Sequence, residues 1–352
     1  MGTSGFSGYV LRISAAAVLL AGCGGASQSF APAGPPSRLA HPGGIAALMR
    51  PEASKKGLVY VSTLFGDLEV YTWPALAPVG TISGLDVPYT LCTDATGDVW
   101  VPDFGAHIIY EYAHGGSAPI HSLIDNYGTP EACSSDPTTG NLAVGDYSSP
   151  GSGPGNVLVF KKARRGPAEY AVPNLIQCFF VSYDNQGNLF ANGIDASRRP
   201  VLAELPKGGS SFEQVTVEPI VSYPGSLQWD GKYLAEQDSS TNVIYQFAVA
   251  DAKAVLKGVT MLDEGGYMDQ LWITGATKRH PQGTAVVGSN YVSYAFEVWN
   301  YPTGGDPTAI VGGLSSSPEG ITVSPDARRY TGIAHGLGER THLTIRSGFG
   351  GH

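Results

Sequence analysis

The chain has 352 residues, a formal net charge of -9 and only 14% charged residues, and it contains 47 glycines and 25 prolines. This charge leaves no basic face able to neutralise a phosphate backbone, so the composition argues against a nucleic-acid partner. Helix-forming residues never accumulate in an amphipathic run, which favours an all-β class of short strands and tight turns.

The first residues carry an export signal. Arg12 precedes an apolar run over 13–20, which is about half the length that a bilayer-spanning helix needs. The run ends in Leu20-Ala21-Gly22-Cys23, which resembles the lipobox of bacterial lipoproteins. The resemblance implies a signal peptide over 1–22, lipidation of Cys23, and an extracytoplasmic protein anchored to a membrane of the bacterial cell envelope. An ordinary secretory peptide that happens to contain a cysteine is the alternative.

Residues 23–56 follow as the modified cysteine and a segment rich in Ala, Gly, Pro and Ser. This segment shows no sustained apolar periodicity, so we expect a flexible spacer that holds the folded part away from the lipid.

From residue 57 the chain repeats one unit. "CTDATGDVWV" at 92–101 has counterparts in "SSDPTTGNLAV", "SYDNQGNLFA" and "QWDGKYLAE", whose aspartates Asp94, Asp136, Asp184 and Asp230 lie 42, 48 and 46 residues apart. A Gly-Gly landmark recurs at twice that period. Each period reads as strand a, an Asp and Gly turn, strand b, a loop, strand c, a Gly-Gly turn and strand d. Four antiparallel strands in about 45 residues are typical of a β-propeller blade.

The count of repeats predicts a six-bladed β-propeller over 57–328. Residues 57–83 supply strands b, c and d, and a C-terminal strand a within 316–327 pairs with that first blade and closes the ring. We call this closing blade blade 6, and the five complete blades, numbered 1 to 5, are predicted at 85–125, 127–173, 175–219, 221–262 and 266–314. Residues 329–352 match no blade, and we expect a disordered, Gly-rich tail.

The stretch "DVWVPDFGAHIIYEY" resembles the repeats of NHL-type and virginiamycin B lyase-like propellers, and the whole chain resembles propeller lipoproteins of uncharacterised function. The resemblance is specific for architecture and weak for activity, because such propellers include enzymes, binding modules and scaffolds.

In a propeller the d-to-a connections and the b-to-c loops open on one face around the axis, here called the funnel face, which is the default binding site. The alignment places eleven polar residues there as candidate ligand-binding residues: Tyr89, Asp103, Glu131, Asp146, Gln177, Asn192, Ser226, Asp238, Asp269, Asn290 and Glu319. They predict an acidic funnel that orients a small-molecule, glycan or protein ligand, or that holds Ca²⁺ or another divalent ion in the central channel. The alternative is that they cap strand ends and contact water.

The repeated aspartates and the aromatic residues at strand positions are predicted to have structural roles. The repeated aspartates lie in a-to-b turns on the opposite face, where turn chemistry explains them. Trp100, Phe190, Trp229, Trp272 and Trp299 fall at strand positions and are predicted to pack between blades, with an exposed row for glycan binding as the alternative.

Three cysteines remain beside Cys23. Strand alternation, counted back from each turn aspartate, puts Cys133 on the face opposite Cys92 and Cys178. This favours buried free thiols over a Cys133 to Cys178 bridge between neighbouring blades, which irregular strands could still allow.

Taken together, the sequence predicts a binding or interaction module. A metal-dependent lyase or lactone hydrolase that needs Glu131 or Glu319, and a purely structural envelope protein, remain the alternatives.

Overall fold

The computed structural model describes residues 46–148, 154–218, 221–276 and 282–325. Over these ranges the regular secondary structure is almost entirely β-strand, with two short 3-10 helices at Ala53–Lys55 and Lys161–Ala163. The all-β prediction is therefore confirmed. No helix in the described ranges is long and apolar enough to cross a bilayer.

The strands of the first half are, in chain order, β1 (Ala46–Met49), β2 (Gly57–Thr63), β3 (Asp67–Trp73), β4 (Pro78–Ser83), β5 (Cys92–Thr93), β6 (Val99–Asp103), β7 (Ile108–Tyr112), β8 (Pro119–Ile124), β9 (Pro130–Ser135), β10 (Leu142–Asp146), β11 (Asn156–Phe160), β12 (Pro167–Ala171) and β13 (Gln177–Tyr183). Those of the second half are β14 (Leu189–Ile194), β15 (Pro200–Leu205), β16 (Glu213–Gln214), β17 (Thr216–Glu218), β18 (Pro224–Trp229), β19 (Leu234–Asp238), β20 (Val243–Ala250), β21 (Lys253–Met261), β22 (Met268–Thr274), β23 (Ala285–Asn290), β24 (Ala295–Asn300), β25 (Ala309–Gly312) and β26 (Pro318–Ser324).

These strands form six sheets, one for each predicted blade. Blades 1, 2, 3 and 5 are four-stranded antiparallel meanders, and blade 4 adds β17 as a parallel outer strand beside β21. The sixth sheet has the order β1-β4-β3-β2-β26 and joins the two ends of the described chain. In it β26 runs antiparallel to β2, with Tyr60 opposite Thr322. Closure by a C-terminal strand is thereby confirmed.

The sheet of blade 6 begins before residue 57. Strand β1 pairs with β4, so that Ala46 lies opposite Ser83, and Ala53 is fully buried. The end of the predicted spacer is therefore part of the propeller, where it covers the outer edge of β4. Residues 1–45 and 326–352, and with them the predicted signal peptide, Cys23 and the tail, lie outside the described residues.

Burial explains the pattern of each strand. All seven residues of β2 are buried, because an inner strand is covered on both faces by the neighbouring blades. The outer strand β21 alternates between exposed and covered positions, since one of its faces meets solvent. The core thus consists of layers between blades, where Trp100, Trp299 and Phe190 are buried as predicted.

The repeated aspartates hold the a-to-b turns. Asp94, Asp136, Asp184 and Asp230 each accept the backbone N–H two residues ahead, at 2.7 to 2.8 Å. Each of the four turns also contains a glycine at positive φ, for example 90° at Gly97 and 92° at Gly187, a conformation that residues with a Cβ rarely adopt. The structural interpretation of these aspartates agrees with this geometry.

The structure corrects the cysteine prediction. Cys92 and Cys133 form a disulfide between β5 of blade 1 and β9 of blade 2, with their Cα atoms 5.7 Å apart, and Cys178 is a buried free thiol. A bridge between adjacent blades needs side chains on opposite faces of the two sheets, because each blade turns one face to each neighbour. The strand count did place Cys92 and Cys133 on opposite faces.

The count failed for Cys178 because a register shift between Cys178 and Phe180 interrupts β13. Cys178 consequently faces blade 2, where a Cβ on Gly145 would lie 2.9 Å from its Sγ. Cys133 also faces the preceding blade, with its Sγ 3.7 Å from the carbonyl oxygen of Trp100. Cys133 and Cys178 thus both point towards the preceding blade, so they cannot form a disulfide with each other.

Candidate functional site on the funnel face

The eleven predicted funnel residues divide into three groups. Asp103, Asn192, Ser226, Asp238 and Asn290 hold loops and blades together. Tyr89, Glu131, Gln177, Asp269 and Glu319 lie at the starts of strands a around the axis. Asp146 stands apart, in a buried position between blades 1 and 2.

The first group has a structural role. Asp103 accepts the backbone N–H groups of Asp86 and Val87, both at 2.9 Å, and so ties the loop before blade 1 to the end of β6. Asp238 does the same in blade 4, accepting the N–H groups of Ser222 at 2.8 Å and Ser240 at 3.0 Å. For these residues the capping alternative is the better description.

Asn192, Ser226 and Asn290 also have protein partners. Asn192 donates to the carbonyl oxygen of Gly225 in blade 4, and Ser226 accepts the N–H of Leu271 in blade 5 at 2.7 Å. Asn290 donates to Glu297 within its own blade at 2.8 Å. Their polar atoms are thus used by the fold.

The second group contains an acidic cluster made of Glu131, Asp269 and Glu319. Glu131 and Glu319 are 6% and 3% exposed, and each member of the cluster has one buried carboxylate oxygen without a hydrogen-bond partner among the described residues. Buried carboxylates normally have partners, so three unpartnered oxygens on one axis point to a ligand.

The acidic cluster has strongly raised pKa values. Burial, followed by the charges of Asp269 and Glu319, raises the pKa of Glu131 well above its usual range. Burial, followed by the charge of Glu319, raises the pKa of Asp269 to about 8, and burial raises that of Glu319 to about 7. Among the described residues no Lys or Arg forms an ion pair with these three acids, and they are therefore costly to ionise near neutral pH.

The fold brings the three acids together because successive strands a approach one another closely. Gln270, next to Asp269, accepts the N–H groups of Leu91 at 2.9 Å and Ile321 at 2.8 Å, and donates to the carbonyl oxygen of Leu91 at 2.8 Å. This side chain of blade 5 therefore joins blades 6 and 1. Gly320 makes the same approach possible, since a Cβ there would lie 2.3 Å from the carbonyl oxygen of Tyr89.

Thr90 completes the contact with blade 2 by donating its hydroxyl to the carbonyl oxygen of Glu131 at 2.5 Å. The acids and Tyr89 consequently stand at the starts of the strands a of four consecutive blades. A rigid inner ring, rather than mobile loops, positions them.

Aromatic rings line the funnel above this cluster. Their centroid separations run from 5.8 Å for Tyr89 and Phe104, through 6.2 Å for Phe104 and Tyr147 and 6.2 Å for Tyr147 and Phe179, to 5.7 Å for Phe179 and Tyr223. We call these five residues the aromatic arc. It crosses blades 1 to 4, and Tyr267 and Tyr291 of blade 5 form a further pair at 6.2 Å.

The tyrosines of this face lie within the electrostatic field of the acidic cluster. Burial, followed by the charges of the three acids, raises the pKa of Tyr89 well above its usual range, and burial and the charge of Glu131 raise those of Tyr147 and Tyr223. Gln177 donates its amide to the Tyr147 hydroxyl, which fixes that ring. The charge of Arg198 acts in the opposite direction and lowers the pKa of Tyr147 and Tyr223. The funnel therefore combines neutral phenols with carboxylates that form no ion pair within the described part of the chain.

The outer part of the same face is unusually apolar. Fifteen large hydrophobic side chains are exposed on the described chain, and eight of them lie in d-to-a or b-to-c loops. These eight are Leu64, Phe65, Tyr127, Ile176, Tyr267, Tyr291, Val292 and Tyr294. An apolar rim around a polar centre is typical of an interaction surface.

A metal-like grouping of acids occurs elsewhere. Within the described ranges, Asp94, Asp98 and Glu111 are the one set of three potential ligands whose atoms all lie within 4.8 Å, and they belong to the opposite face. Asp94 holds its own turn, and Glu111 is paired with Arg164 at 2.9 Å. The axial acids form no such set, and a divalent ion in the channel remains a prediction.

The channel also opens on the opposite face. A cavity of about 500 Å³ is lined there by the disulfide cysteines, Trp229, Trp272 and Gln270. Gln270 therefore lies between this cavity and the acidic cluster.

Solved structures resemble this chain in fold. A chain in the crystal structure of a nidogen/laminin complex superposes with a TM-score of 0.62 at 15% identity, covering 77% of this chain and 98% of that chain. A functionally unknown protein from Desulfotomaculum acetoxidans DSM 771 superposes with a TM-score of 0.52 at 9% identity, covering 77% and 99%. The sequence matches no protein family and no curated protein.

At such identities the likeness shows the fold alone. The chain is a six-bladed β-propeller, an architecture consistent with a binding module, and any statement about its ligand has to come from its own residues.

Proposed function

We propose that the protein is a binding module that captures an organic cation, a primary ammonium or a guanidinium group, on its funnel face. One observation supports this most: Glu131, Asp269 and Glu319 each present, beneath the aromatic arc, a buried oxygen that has no hydrogen-bond partner within the described ranges.

A cationic group satisfies both parts of this site. Carboxylates in a desolvated site bind N–H donors through strong charge-assisted hydrogen bonds. The faces of tyrosine and phenylalanine attract ammonium and guanidinium groups by about 0.5 to 2 kcal/mol each. A neutral glycan would stack on the rings but would leave the acids without counter-charge.

The same cation can come from two sources. It can be a free amine, or it can be a lysine or arginine side chain of a peptide whose apolar neighbours cover the rim. The solved neighbour from the nidogen/laminin complex belongs to a protein assembly, which is compatible with the second source.

The ligand class is tested by thermal denaturation of the full chain with matched probes. We expect N-acetyl-lysinamide and agmatine to raise the melting temperature, because both carry a cation without a carboxylate that the cluster would repel. The neutral N-acetyl-norleucinamide, which has the aliphatic chain of lysine without the ammonium group, and a neutral oligosaccharide should have no effect. Glu319→Gln should abolish the response, and the exposed Glu213→Gln should keep it.

The two sources are separated by comparing agmatine with a lysine-containing peptide that has apolar flanking residues. Tighter binding of the peptide would identify a protein partner, and equal binding a small molecule. A response to the oligosaccharide alone would contradict the cation and leave a glycan site. A response to Ca²⁺ that is lost in Glu319→Gln would instead favour the axial metal.

We further propose that the protein works outside the cytoplasm while anchored by a lipid on Cys23. The sequence Leu20-Ala21-Gly22-Cys23 supports this proposal. The anchor would hold the propeller near the membrane, where the spacer lets the funnel face reach its ligand.

The anchor is tested by Cys23→Ser. We expect this variant to lose incorporation of a labelled fatty acid and to move from the membrane fraction to the soluble extracytoplasmic fraction. Its propeller should melt at the same temperature, since Cys23 is remote from the blades in sequence. Continued acylation of the variant, or unchanged fractionation, would refute lipidation at Cys23.

A further inference from the structure

A second group of oxygen atoms is buried between blades 1 and 2. It comprises Asp125 from the connection between the blades, Asp146 at the end of β10 and Asn156 at the start of β11, which are 3%, 0% and 4% exposed. Four of their side-chain oxygens have no hydrogen-bond partner among the described residues: Asp125 Oδ2, both oxygens of Asp146, and Asn156 Oδ1.

The register of the sheet points these oxygens to one place. Asp146 and Asn156 are directly opposite in the pairing of β10 with β11, so their side chains share a face of the sheet. Asn156 donates its Nδ2 to Glu169 at 2.8 Å, which fixes the amide and leaves Oδ1 as a free acceptor.

Asp125 covers this face from the neighbouring connection. Its Oδ1 accepts the N–H groups of Tyr127 at 2.7 Å and Gly128 at 3.0 Å, and no described residue donates to its Oδ2. The connection packs directly on the second carboxylate, since a Cβ on Gly128 would lie 2.5 Å from Asp146 Cγ. Two carboxylates therefore meet inside the protein.

A comparison with blades 1 and 4 shows that the surroundings of Asp146 are unusual. At the same position Asp103 and Asp238 accept backbone N–H groups from the preceding d-to-a connection. In blade 2 the corresponding N–H groups go to Asp125, and Asp146 receives no hydrogen bond from the residues that the structure describes. An anionic pair thus replaces a capped aspartate, which is unfavourable unless a proton or a cation lies between the two carboxylates.

We propose that Asp125, Asp146 and Asn156 bind a structural Ca²⁺ ion that clamps the connection between blades 1 and 2. All the available ligands are hard oxygens, two of the side chains are anionic, and Glu169 adds negative charge nearby, which is the ligand set that Ca²⁺ prefers. The side chains come from fixed strand ends and a tight turn, so the site is largely preformed.

A proton shared by the two carboxylates and a cation bound between them are the two alternatives that an experiment must separate.

The test uses the full chain, freed of divalent ions by chelation and then titrated with CaCl₂. We expect one Ca²⁺ per chain and a rise of several degrees in melting temperature, with a much smaller effect from MgCl₂. Asp146→Asn should remove both. Asp98→Asn, in the acidic set of the opposite face, and Glu319→Gln, on the axis, should retain both and thereby exclude those two sites.

A gain-of-ligand variant keeps the test decisive if Asp146→Asn folds poorly. Asn156→Asp should destabilise the calcium-free protein and bind Ca²⁺ at least tenfold more tightly. Absence of Ca²⁺ binding at 10 mM, or a calcium response unchanged in Asp146→Asn, would overturn the proposal. An Asp146→Asn protein that is more stable than wild type with or without Ca²⁺ would instead identify a pair that shares a proton.

Discussion

Removal of the Cys92–Cys133 disulfide is expected to lower the free energy of unfolding by about 4 kcal/mol. The bond closes a loop with a sequence separation of 41 residues, and that magnitude is what loop-closure entropy gives for such a loop. The double variant Cys92→Ala/Cys133→Ala, unfolded in urea, should show this loss.

A reducing agent supplies the control. It should destabilise the wild type by a similar amount and leave the double variant unchanged. A count of free thiols in the denatured, unreduced protein tests the same assignment, because Cys178 should be the one reactive thiol within 57–325. Equal stability of the wild type and the double variant would contradict it.

Glu319→Gln is expected to stabilise the protein above pH 7, by about 2 kcal/mol. An unfolded chain ionises this glutamate near 4.5, but the folded protein keeps its proton up to about 7. The folded state therefore loses stability as the pH rises between these two values, and the full penalty, about 3 kcal/mol at 1.36 kcal/mol per pKa unit, applies above the folded pKa. A neutral amide escapes most of it.

Urea denaturation between pH 5 and 9 measures this effect. The curve of Glu319→Gln should be flatter than that of the wild type, and the exposed Glu213→Gln should follow the wild type. Parallel curves for Glu319→Gln and the wild type would mean that Glu319 is solvated. A gain in stability combined with loss of ligand would mark a residue retained for binding at the expense of stability.

The architecture could be predicted because it depends on a repeated signal. The aspartate turn marks four copies of the repeat, and the Gly-Gly landmark recurs at twice the same period. The two partial copies at the ends could therefore only complete one blade. Strands β1 and β17 carry no such signal, since an outer strand meets solvent on one face and needs only a short apolar segment. They were therefore missed, and the start of the propeller was placed too late.

The strand positions of the candidate residues could be predicted from the sequence better than their hydrogen-bond partners. Counting along strands located Glu131, Asp269 and Glu319 correctly at the starts of strands a. It could not tell them from Asp103 or Asp238, because that difference lies in whether a neighbouring loop donates its N–H groups. The contacts of Asp146 could not be predicted for the same reason. The repeat pattern assigns the N–H groups of the preceding connection to Asp146, but in the structure Asp125 accepts them.

The aromatic arc was missed although a signal for part of it existed. Phe104, Tyr147 and Tyr291 each follow directly after the last residue of a strand b, and Tyr89, Tyr223 and Tyr267 precede strands a. The pattern is weak because it rests on single phenylalanine and tyrosine residues in loops, where no strand alternation fixes the direction of a side chain.

Calorimetric titration with N-acetyl-lysinamide at pH 6, 7 and 8 tests the funnel site most directly. Ionised carboxylates bind the cation and protonated ones do not, so we expect an affinity that increases with pH and a release of about one proton per ligand, both absent in Glu319→Gln. Binding that is independent of pH and of Glu319, or no binding at any pH, would contradict it.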